Sequence, residues 1–149
     1  KNYTAKGLSF EEGDAENLPF NDKSFDVILN VESSHCYGSM PAFLAEVKRV
    51  LKPGGYFMFA DFRNREQLAE LEEQLEQSGL RRVAYENITP NVIKALDADH
   101  GRRFAHIQRG VPKFLHSLLR EFAGNTDTWI YNGFHTGEIV YQNYLFQKA

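Results

Sequence analysis

Runs of apolar residues recur along the chain, and their spacing predicts alternating strands and helices. The runs FDVILNV, GYFMFADF and EIVYQNYLFQKA are rich in β-branched and aromatic residues, which is typical of β-strands. RRVAYENI predicts a further strand, and LSFEEG at residues 8–13 predicts a short one that ends at a glycine. The continuous pattern of FDVILNV favours a strand that is buried on both faces of a parallel sheet.

Apolar residues at helical spacing separate these strands. The first predicted helix begins at Pro41 and ends before KPGG, where Pro53 cannot continue it, and its apolar face is Phe43, Leu44, Val47, Val50 and Leu51. The second has an apolar face of Leu68, Leu71 and Leu75 and is closed by Ser78–Gly79. Strand, helix, strand, helix, strand is the order that predicts an α/β fold with a largely parallel sheet.

Residues 89 to about 124 contain two helical patterns, and the insertion of about 89–137 is too long for a plain connection. They predict a helical insertion or cap before the last strand, within one domain that covers residues 1–149. The chain begins at Lys1 without a methionine, and we interpret it as the C-terminal part of a longer protein.

Composition narrows the class of protein. The chain has 149 residues, 42% of them hydrophobic, and a net charge of −3, so disorder and a nucleic-acid partner are not indicated. No apolar run approaches the roughly 20 residues that span a bilayer, and no secretion signal opens the chain. The single cysteine, Cys36, excludes an internal disulfide framework and fits a reducing, cytoplasmic location.

Polar residues follow three of the predicted strands, at positions 13–16, 30–37 and 61–63. Ligands of open α/β sheets bind outside the carboxyl ends of the strands. The sequence therefore predicts a ligand site where these segments meet, and FDVILNV stops at Asn30 because its end opens onto that site.

Residues 8 to about 62 also resemble a known family. GDAENLPFNDKSFDVILNV followed by FLAEVKRVLKPGGYFMFADF is similar to the second half of class I S-adenosylmethionine-dependent methyltransferases of the small-molecule type. VESSHCY and ADFR look most like O-methyltransferases of lipid or natural-product hydroxyls, such as the phthiotriol/phenolphthiocerol dimycocerosate and rebeccamycin-type sugar enzymes. The resemblance implies a Rossmann-like sheet, S-adenosyl-L-methionine as cofactor and a small or lipid-like hydroxyl acceptor.

The resemblance also implies roles for cofactor-binding residues. Asp14 would accept a hydrogen bond from the adenine amino group, and the backbone N–H of Ala15 would meet the ring. The backbone near Asn30 would approach the methionine part of the cofactor, and Glu32 would help to shape that pocket.

Two further residues match catalytic positions of the family. His35 matches a general base, and Asp61 matches a second acid–base or orienting group. A histidine suits this role because its unperturbed pKa of about 6.5 lets it take a proton near neutral pH.

The chain departs from the family at the cofactor loop. None of its eleven glycines forms the G-x-G turn that approaches the cofactor, so we expect poor cofactor binding by this chain alone. In the family's sheet order the first strand separates FDVILNV from LSFEE. Without it FDVILNV becomes an exposed apolar edge, which predicts a homodimer or a strand-exchanged oligomer.

Structural interpretations of the same residues stay open. Asp14 fits a turn residue, His35 a polar surface residue and Asp61 a cap of the next helix. Cys36 is predicted to be a small buried residue. No metal site is predicted, because the other histidines lack ligand spacing and strand alternation would split the acidic cluster of residues 11–16.

The insertion allows two interpretations. Its apolar stripe is bordered by four basic residues, Arg102, Arg103, Arg109 and Lys113. This pattern is typical either of a lid that admits a lipid-like acceptor or of a helix that packs its stripe on the sheet. The aromatic residues near the end of the chain suit either an acceptor pocket or the core; they are Trp129, Tyr131, Phe134, Tyr141, Tyr144 and Phe146.

The functional hypotheses are therefore these. The first is an O-methyltransferase, and the second is an N- or C-methyltransferase of the quinone or sterol type. The third is a non-catalytic fragment that acts as a dimerising or binding module, which the missing glycine loop favours.

Overall fold

The structure is a computed structural model that describes residues 5–110 and 128–149, with side chains in the first range up to residue 99. Strands and helices alternate through most of it. In chain order they are β1 Phe25–Val31, α1 Met40–Val50, β2 Leu51–Asn64, α2 Arg65–Gln77, β3 Arg81–Asn87, α3 Thr89–Gly110, α4 Trp129–Thr136 and β4 Ile139–Gln147.

The described strands form one sheet in the order β1-β2-β4-β3. β1 and β2 are parallel, whereas β4 runs antiparallel to both β2 and β3. The predicted α/β fold is confirmed, but the expectation of mostly parallel pairing is wrong. β4 starts beside the end of β2, where Ile139 pairs with Asn64, so it can only run back along the sheet.

The predicted strand at residues 8–13 is also wrong. These residues form no strand in the described structure, and Leu8 and Phe10 are 50% and 76% exposed. A strand needs a neighbour to pair its backbone groups, and none of the described strands lies against this segment. The weak alternation of LSFEEG is therefore not sufficient to order it as a strand.

The helix predicted from Pro41 to the KPGG turn is present as α1. The Ser39 side chain caps it by accepting a hydrogen bond from the Ala42 N–H at 3.3 Å, and Pro41 occupies the first turn. Its apolar face is buried, and the helix ends at Val50 as β2 begins. Gly54, within the KPGG turn, has φ +78°, which glycine adopts without strain.

Two core clusters lie on opposite faces of the sheet. One packs α1 and α2 against Phe57, Phe59, Tyr144 and Phe146. The other packs α3 and α4 against the ends of β2 and β4, around Phe134, Ile139 and Tyr141. Phe134, Tyr141, Tyr144 and Phe146 are thus core residues, as the structural alternative for them predicted.

Strand β1 lies at one edge of the described sheet and is buried on one face only. Val27, Leu29 and Val31 are 50%, 66% and 60% exposed, so the prediction that both faces are buried is wrong. The predicted apolar edge is present, with Tyr56 and Met58 continuing it on β2.

The insertion is described in part. α3 confirms the first helical pattern, and α4 is a further helix of the insertion that the sequence analysis did not predict. The second helical pattern, residues 111–122, and the side chains of Arg102, Arg103, Arg109 and Lys113 lie outside the described residues. No helix in the described part of the chain is both long and apolar enough to cross a membrane.

Candidate active site

The Asp61 carboxylate is the centre of the site. It lies in β2, three residues before the strand ends, and is only 1% exposed. Its Oδ2 accepts hydrogen bonds from Ser34 Oγ at 2.6 Å and from the His35 backbone N–H at 3.1 Å. Its Oδ1 accepts from the Phe62 N–H at 2.9 Å and lies 2.8 Å from His35 Nδ1. The two predicted catalytic residues are therefore in direct contact.

The charge of Asp61 fixes the orientation of His35. Burial alone would raise the pKa of Asp61, but hydrogen bonds from Ser34 and His35 and the charge of Arg63 outweigh it and lower the pKa. An ionised carboxylate only accepts hydrogen bonds, so Nδ1 of His35 carries the proton. In the neutral ring Nε2 is then the basic nitrogen.

The imidazole ring of His35 also packs against the ring of Phe62. Its centroid lies 4.6 Å from that of Phe62, and the side chain is 29% exposed. No hydrogen bond engages Nε2 within the described residues. A ring that is oriented by a carboxylate and still accessible can take a proton from a bound molecule.

Ser34 and Arg63 complete the network, and the sequence analysis assigned no role to either. Arg63 Nη1 lies 3.2 Å from Asp61 Oδ2, and its Nη2 donates to Ser34 Oγ at 2.7 Å. One signal was available for Arg63, because residues two apart on a strand share a face and a buried aspartate needs a counter-charge. Ser34 had no signal beyond its position next to His35.

Asn30 is the penultimate residue of β1, and its side chain is buried at 7% exposure. Its Nδ2 donates to Ser33 Oγ at 2.9 Å and to the Tyr37 hydroxyl at 2.8 Å. Its Oδ1 is buried and has no hydrogen-bond partner among the described residues. An unpaired buried acceptor is costly, so this oxygen is suited to a donor that a ligand brings.

Glu32 follows β1 in an unusual conformation. Its φ of +51° lies in the left-handed region, which costs a residue with a Cβ about 1–2 kcal/mol. Its backbone N–H still donates to Ala60 O at 2.9 Å, so the chain turns only after this last bond to β2. The turn leads directly into the short 3₁₀ segment Ser34–Cys36.

The segment around Asp14 is tied to the same region. Asp14 is exposed, and its Oδ1 accepts a hydrogen bond from the Glu16 N–H at 2.9 Å, as the turn interpretation predicted. Ala15 packs against the larger core cluster. Glu16 Oε1 accepts from the N–H groups of Gly38 and Ser39 at 2.7 and 3.0 Å, which links this loop to the start of α1.

The structure corrects two of the structural interpretations. Cys36 is exposed, not buried, because the turn that aims Ser34 and His35 at Asp61 directs the next residue outward. Asp61 does not cap α2, whose N-cap is Asn64. The described residues contain no cluster of three metal-ligating side chains.

Two cavities lie near this region. One of about 200 Å³ borders Ser34, His35 and Arg63 on the side of α2. A larger one of about 570 Å³ lies past the end of β2, between Arg65 and the exposed Trp129. Trp129 is the one member of the predicted aromatic group that borders either cavity in the described part of the chain.

Comparisons with known proteins agree with this architecture. The chain is 47% identical over 122 residues to a probable phthiotriol/phenolphthiotriol dimycocerosates methyltransferase 2 of Mycobacterium ulcerans, covering 82% of this chain and 47% of that protein. It is 43% identical over 148 residues to the phthiotriol/phenolphthiotriol dimycocerosates methyltransferase of Mycobacterium tuberculosis, covering 99% and 55%. A fatty-acid O-methyltransferase of Mycolicibacterium smegmatis is 37% identical over 122 residues, covering 82% and 44%.

Solved structures share the fold. A protein described as a sarcosine dimethylglycine methyltransferase from Galdieria sulphuraria superposes with a TM-score of 0.78 at 15% identity, covering 97% of this chain and 61% of that one. An O-methyltransferase from a Brevibacillus brevis multienzyme, solved with S-adenosyl-L-homocysteine, gives 0.69 at 18% identity, covering 92% and 48%.

The fold is thus the Rossmann-like α/β fold of methyltransferases, as the resemblance implied. A family model described as "Methyltransferase domain" matches residues 1–118, and the chain belongs to this family. It spans about half the length of the curated relatives it matches.

The Asp61 network predicts a specific dependence of stability on pH. The pKa of Asp61 in the folded state lies below its usual value of 3.8. The ionised carboxylate therefore contributes its full stabilisation of the fold above pH 3.8, and this stabilisation is lost as the pH falls through the lower, folded-state pKa. We expect Asp61→Asn to cost about 3 kcal/mol at pH 7 in urea denaturation, with a smaller cost at pH 3.

The matched control is Asp26→Asn, since Asp26 pairs with Lys52 but has a side chain that is 79% exposed. It should change stability little at either pH. An Asp61→Asn variant whose cost is the same at pH 7 and pH 3 would contradict this account of the carboxylate.

Proposed function

We propose that this chain carries the acceptor side of an S-adenosylmethionine-dependent O-methyltransferase site, with His35 as general base and Asp61 as the group that orients it. The observation that supports this most is the 2.8 Å contact between His35 Nδ1 and Asp61 Oδ1, which leaves Nε2 free to take a proton. The family membership supports methyl transfer as the class of reaction.

The chemistry needs a positioned base. S-adenosylmethionine, when bound, supplies a methyl group on a sulfonium that a nucleophile attacks in line. When the oxygen of an acceptor takes this methyl group, the carbon–sulfur bond would break and S-adenosylhomocysteine would leave, while the O–H bond of the acceptor breaks and His35 Nε2 takes its proton. The negative charge of Asp61 stabilises the resulting imidazolium, and Phe62 fixes the plane of the ring. Positioning of this kind accounts for much of the acceleration.

The residues present fit the cofactor's amino-acid end. The unpaired Oδ1 of Asn30 can accept from an ammonium group, and Glu32, the first residue after β1, contributes a carboxylate at the same end of the strand. Asp14 uses one carboxylate oxygen in its own turn, and the other is available to an adenine amino group beside the backbone of Ala15. These four residues are the proposed cofactor contacts.

A lipid-like acceptor is proposed from two observations. The similar curated proteins are named for phthiotriol dimycocerosates and for fatty acids, both of which are lipids. In addition, α3 and α4 cover the face of the sheet beside Phe62 and Tyr141 with apolar residues. We propose that residues 89–137 form a cap on the acceptor side. The single cysteine supports a cytoplasmic location as part of this proposal.

The role of His35 can be tested with a pair of acceptors that differ in acidity. His35→Gln should lower kcat/KM for a long-chain alcohol about 100-fold or more, because an alcohol must lose its proton during transfer. A long-chain carboxylic acid is already ionised at pH 7, so its methylation should change little. The measurement is transfer of a radiolabelled methyl group, in this chain or in a longer polypeptide that contains it.

The control is Lys52→Gln, which alters an exposed side chain at the start of β2, far along the strand from Asp61, and should affect neither acceptor. Equal losses with both acceptors would contradict the role of base. Methylation of amines or alkenes alone would favour the N- or C-methyltransferase hypothesis, and no transfer to any acceptor would favour the non-catalytic one.

We also propose that the exposed edge of β1 pairs with a second copy of the chain. Val27, Leu29 and Val31 form an apolar row with Tyr56 and Met58, and the outer backbone groups of β1 have no strand beside them in the described sheet. Such an edge favours pairing with another chain.

Light scattering across a concentration series tests this proposal. The chain should dimerise, and Leu29→Lys should shift it to a monomer because a charge on an apolar edge opposes pairing. Val83→Lys, at the 44% exposed Val83 of the opposite edge strand, is the control and should leave the dimer intact. A monomer at all concentrations would reject the proposal.

A further inference from the structure

The loop that carries Asp14 and Ala15 has no regular structure of its own. Residues 14–24 contain neither a helix nor a strand element. Asp14 makes only a short turn, in which its side chain accepts from the Glu16 N–H and its carbonyl accepts from the Asn17 N–H. The other backbone groups of the loop need partners elsewhere, so its shape depends on what it binds.

Arg49, in the last turn of α1, is the main partner of this loop. A guanidinium has five N–H groups in a planar fork, and the structure gives each of them an acceptor. Nη1 donates to Phe20 O at 2.7 Å and to Asp22 Oδ1 at 2.8 Å, and Nη2 donates to Leu18 O at 2.9 Å. The remaining donors, on Nε and Nη2, bind the two oxygens of the Glu46 carboxylate at 2.8 and 2.7 Å.

Glu46 binds the loop together with Arg49. Its side chain is 16% exposed, and its Oε2 accepts from the Leu18 N–H at 2.8 Å. Both backbone groups of Leu18 are thus bound by this pair, the N–H by Glu46 and the carbonyl by Arg49. The hydrogen bond from Arg49 lowers the pKa of Glu46, so the carboxylate is ionised at neutral pH.

The two ends of the loop are attached to α1 as well. Near the first end, Glu16 binds the two backbone N–H groups that precede the helix. At the other end, the N–H groups of Lys23 and Ser24 donate to the last two carbonyls of the helix at 3.0 and 2.8 Å. The Glu46–Arg49 pair binds the middle of the loop, so the helix fixes the path of the loop along its whole length.

We propose that the Glu46–Arg49 pair positions this loop for cofactor binding. By fixing Leu18, four residues after Asp14, it holds the Asp14 turn where that carboxylate can accept from the adenine amino group. The inference rests on the proposed function, which assigns the adenine contacts to Asp14 and Ala15. It adds two positioning residues that are not themselves proposed cofactor contacts.

The first test is Arg49→Lys, which keeps the positive charge but replaces the planar fork with an ammonium that has three donors. An ammonium cannot bind all the acceptors of Arg49, so the loop should open locally. Hydrogen exchange of the Leu18 amide should become about tenfold faster, whereas exchange in β2 should not change. Unchanged exchange at Leu18 would overturn the proposal, and so would an equal acceleration in β2, which indicates a general loss of stability.

The second test is cofactor binding. In Arg49→Lys the dissociation constant of S-adenosylhomocysteine, measured from backbone amide shifts at residues 14–16, should rise about tenfold. In the methyl-transfer assay the KM for S-adenosylmethionine should rise by a similar factor while kcat at saturation is kept, because the His35–Asp61 contact is not altered. A loosened loop with unchanged affinity, or a fall in kcat at unchanged KM, would contradict the role of the pair.

Arg82→Lys is the matched control. Arg82 also pairs with two carboxylates, Glu72 at 2.7 Å and Glu76 at 3.2 Å, and its side chain is 36% exposed, against 30% for Arg49. It lies on β3, and its hydrogen bonds in the described structure are to α2 and not to the loop. This variant should change neither exchange at Leu18 nor cofactor affinity, and equal losses in both variants would show the proposal to be wrong.

Failure of the proposed function gives a different result. S-adenosylhomocysteine would then shift no amide at residues 14–16 of the unaltered chain, although exchange at Leu18 would still depend on Arg49.

Discussion

The buried carboxylate of Asp61 is the group on which the rest of the site depends. A charge that is 1% exposed is tolerated only where hydrogen bonds and a counter-charge replace water, and here Ser34, His35, Phe62 and Arg63 supply them. The same bonds join the end of β1 to the end of β2. The hydrogen bonds to Asp61 thus hold the 3₁₀ turn over the end of the sheet. They also leave the basic nitrogen of His35 accessible.

The two faces of the sheet pack against different helices around this carboxylate. Towards α1 and α2, an aromatic core of Phe57, Phe59, Tyr144 and Phe146 keeps β2 rigid below Asp61. Towards α3 and α4, the second cluster brings Tyr141 beside Phe62 near the end of β2. The network at the strand ends is therefore supported from both sides, as precise positioning of a base requires.

The sequence patterns predicted those features that depend on residues close together in the chain. Helix α1, strand β1 and the convergence of polar residues at the strand ends followed from periodicity and from the geometry of parallel strands. Features that depend on a distant partner did not. Residues 8–13 are not a strand because no described strand pairs with them, and β4 is antiparallel because of where it enters the sheet. The left-handed conformation of Glu32 is held by the tertiary fold, so the sequence alone could not predict it.

The most direct test of the central claim is a titration of S-adenosylhomocysteine into the isotope-labelled chain, followed by backbone amide shifts, which also detect millimolar binding. The account predicts saturable shifts at residues 14–16 and 30–33, lost at residues 14–16 in Asp14→Ala. Saturable shifts elsewhere, for example around Trp129, or no shifts in a folded chain, would contradict the assignment of the strand ends as the site of methyl transfer.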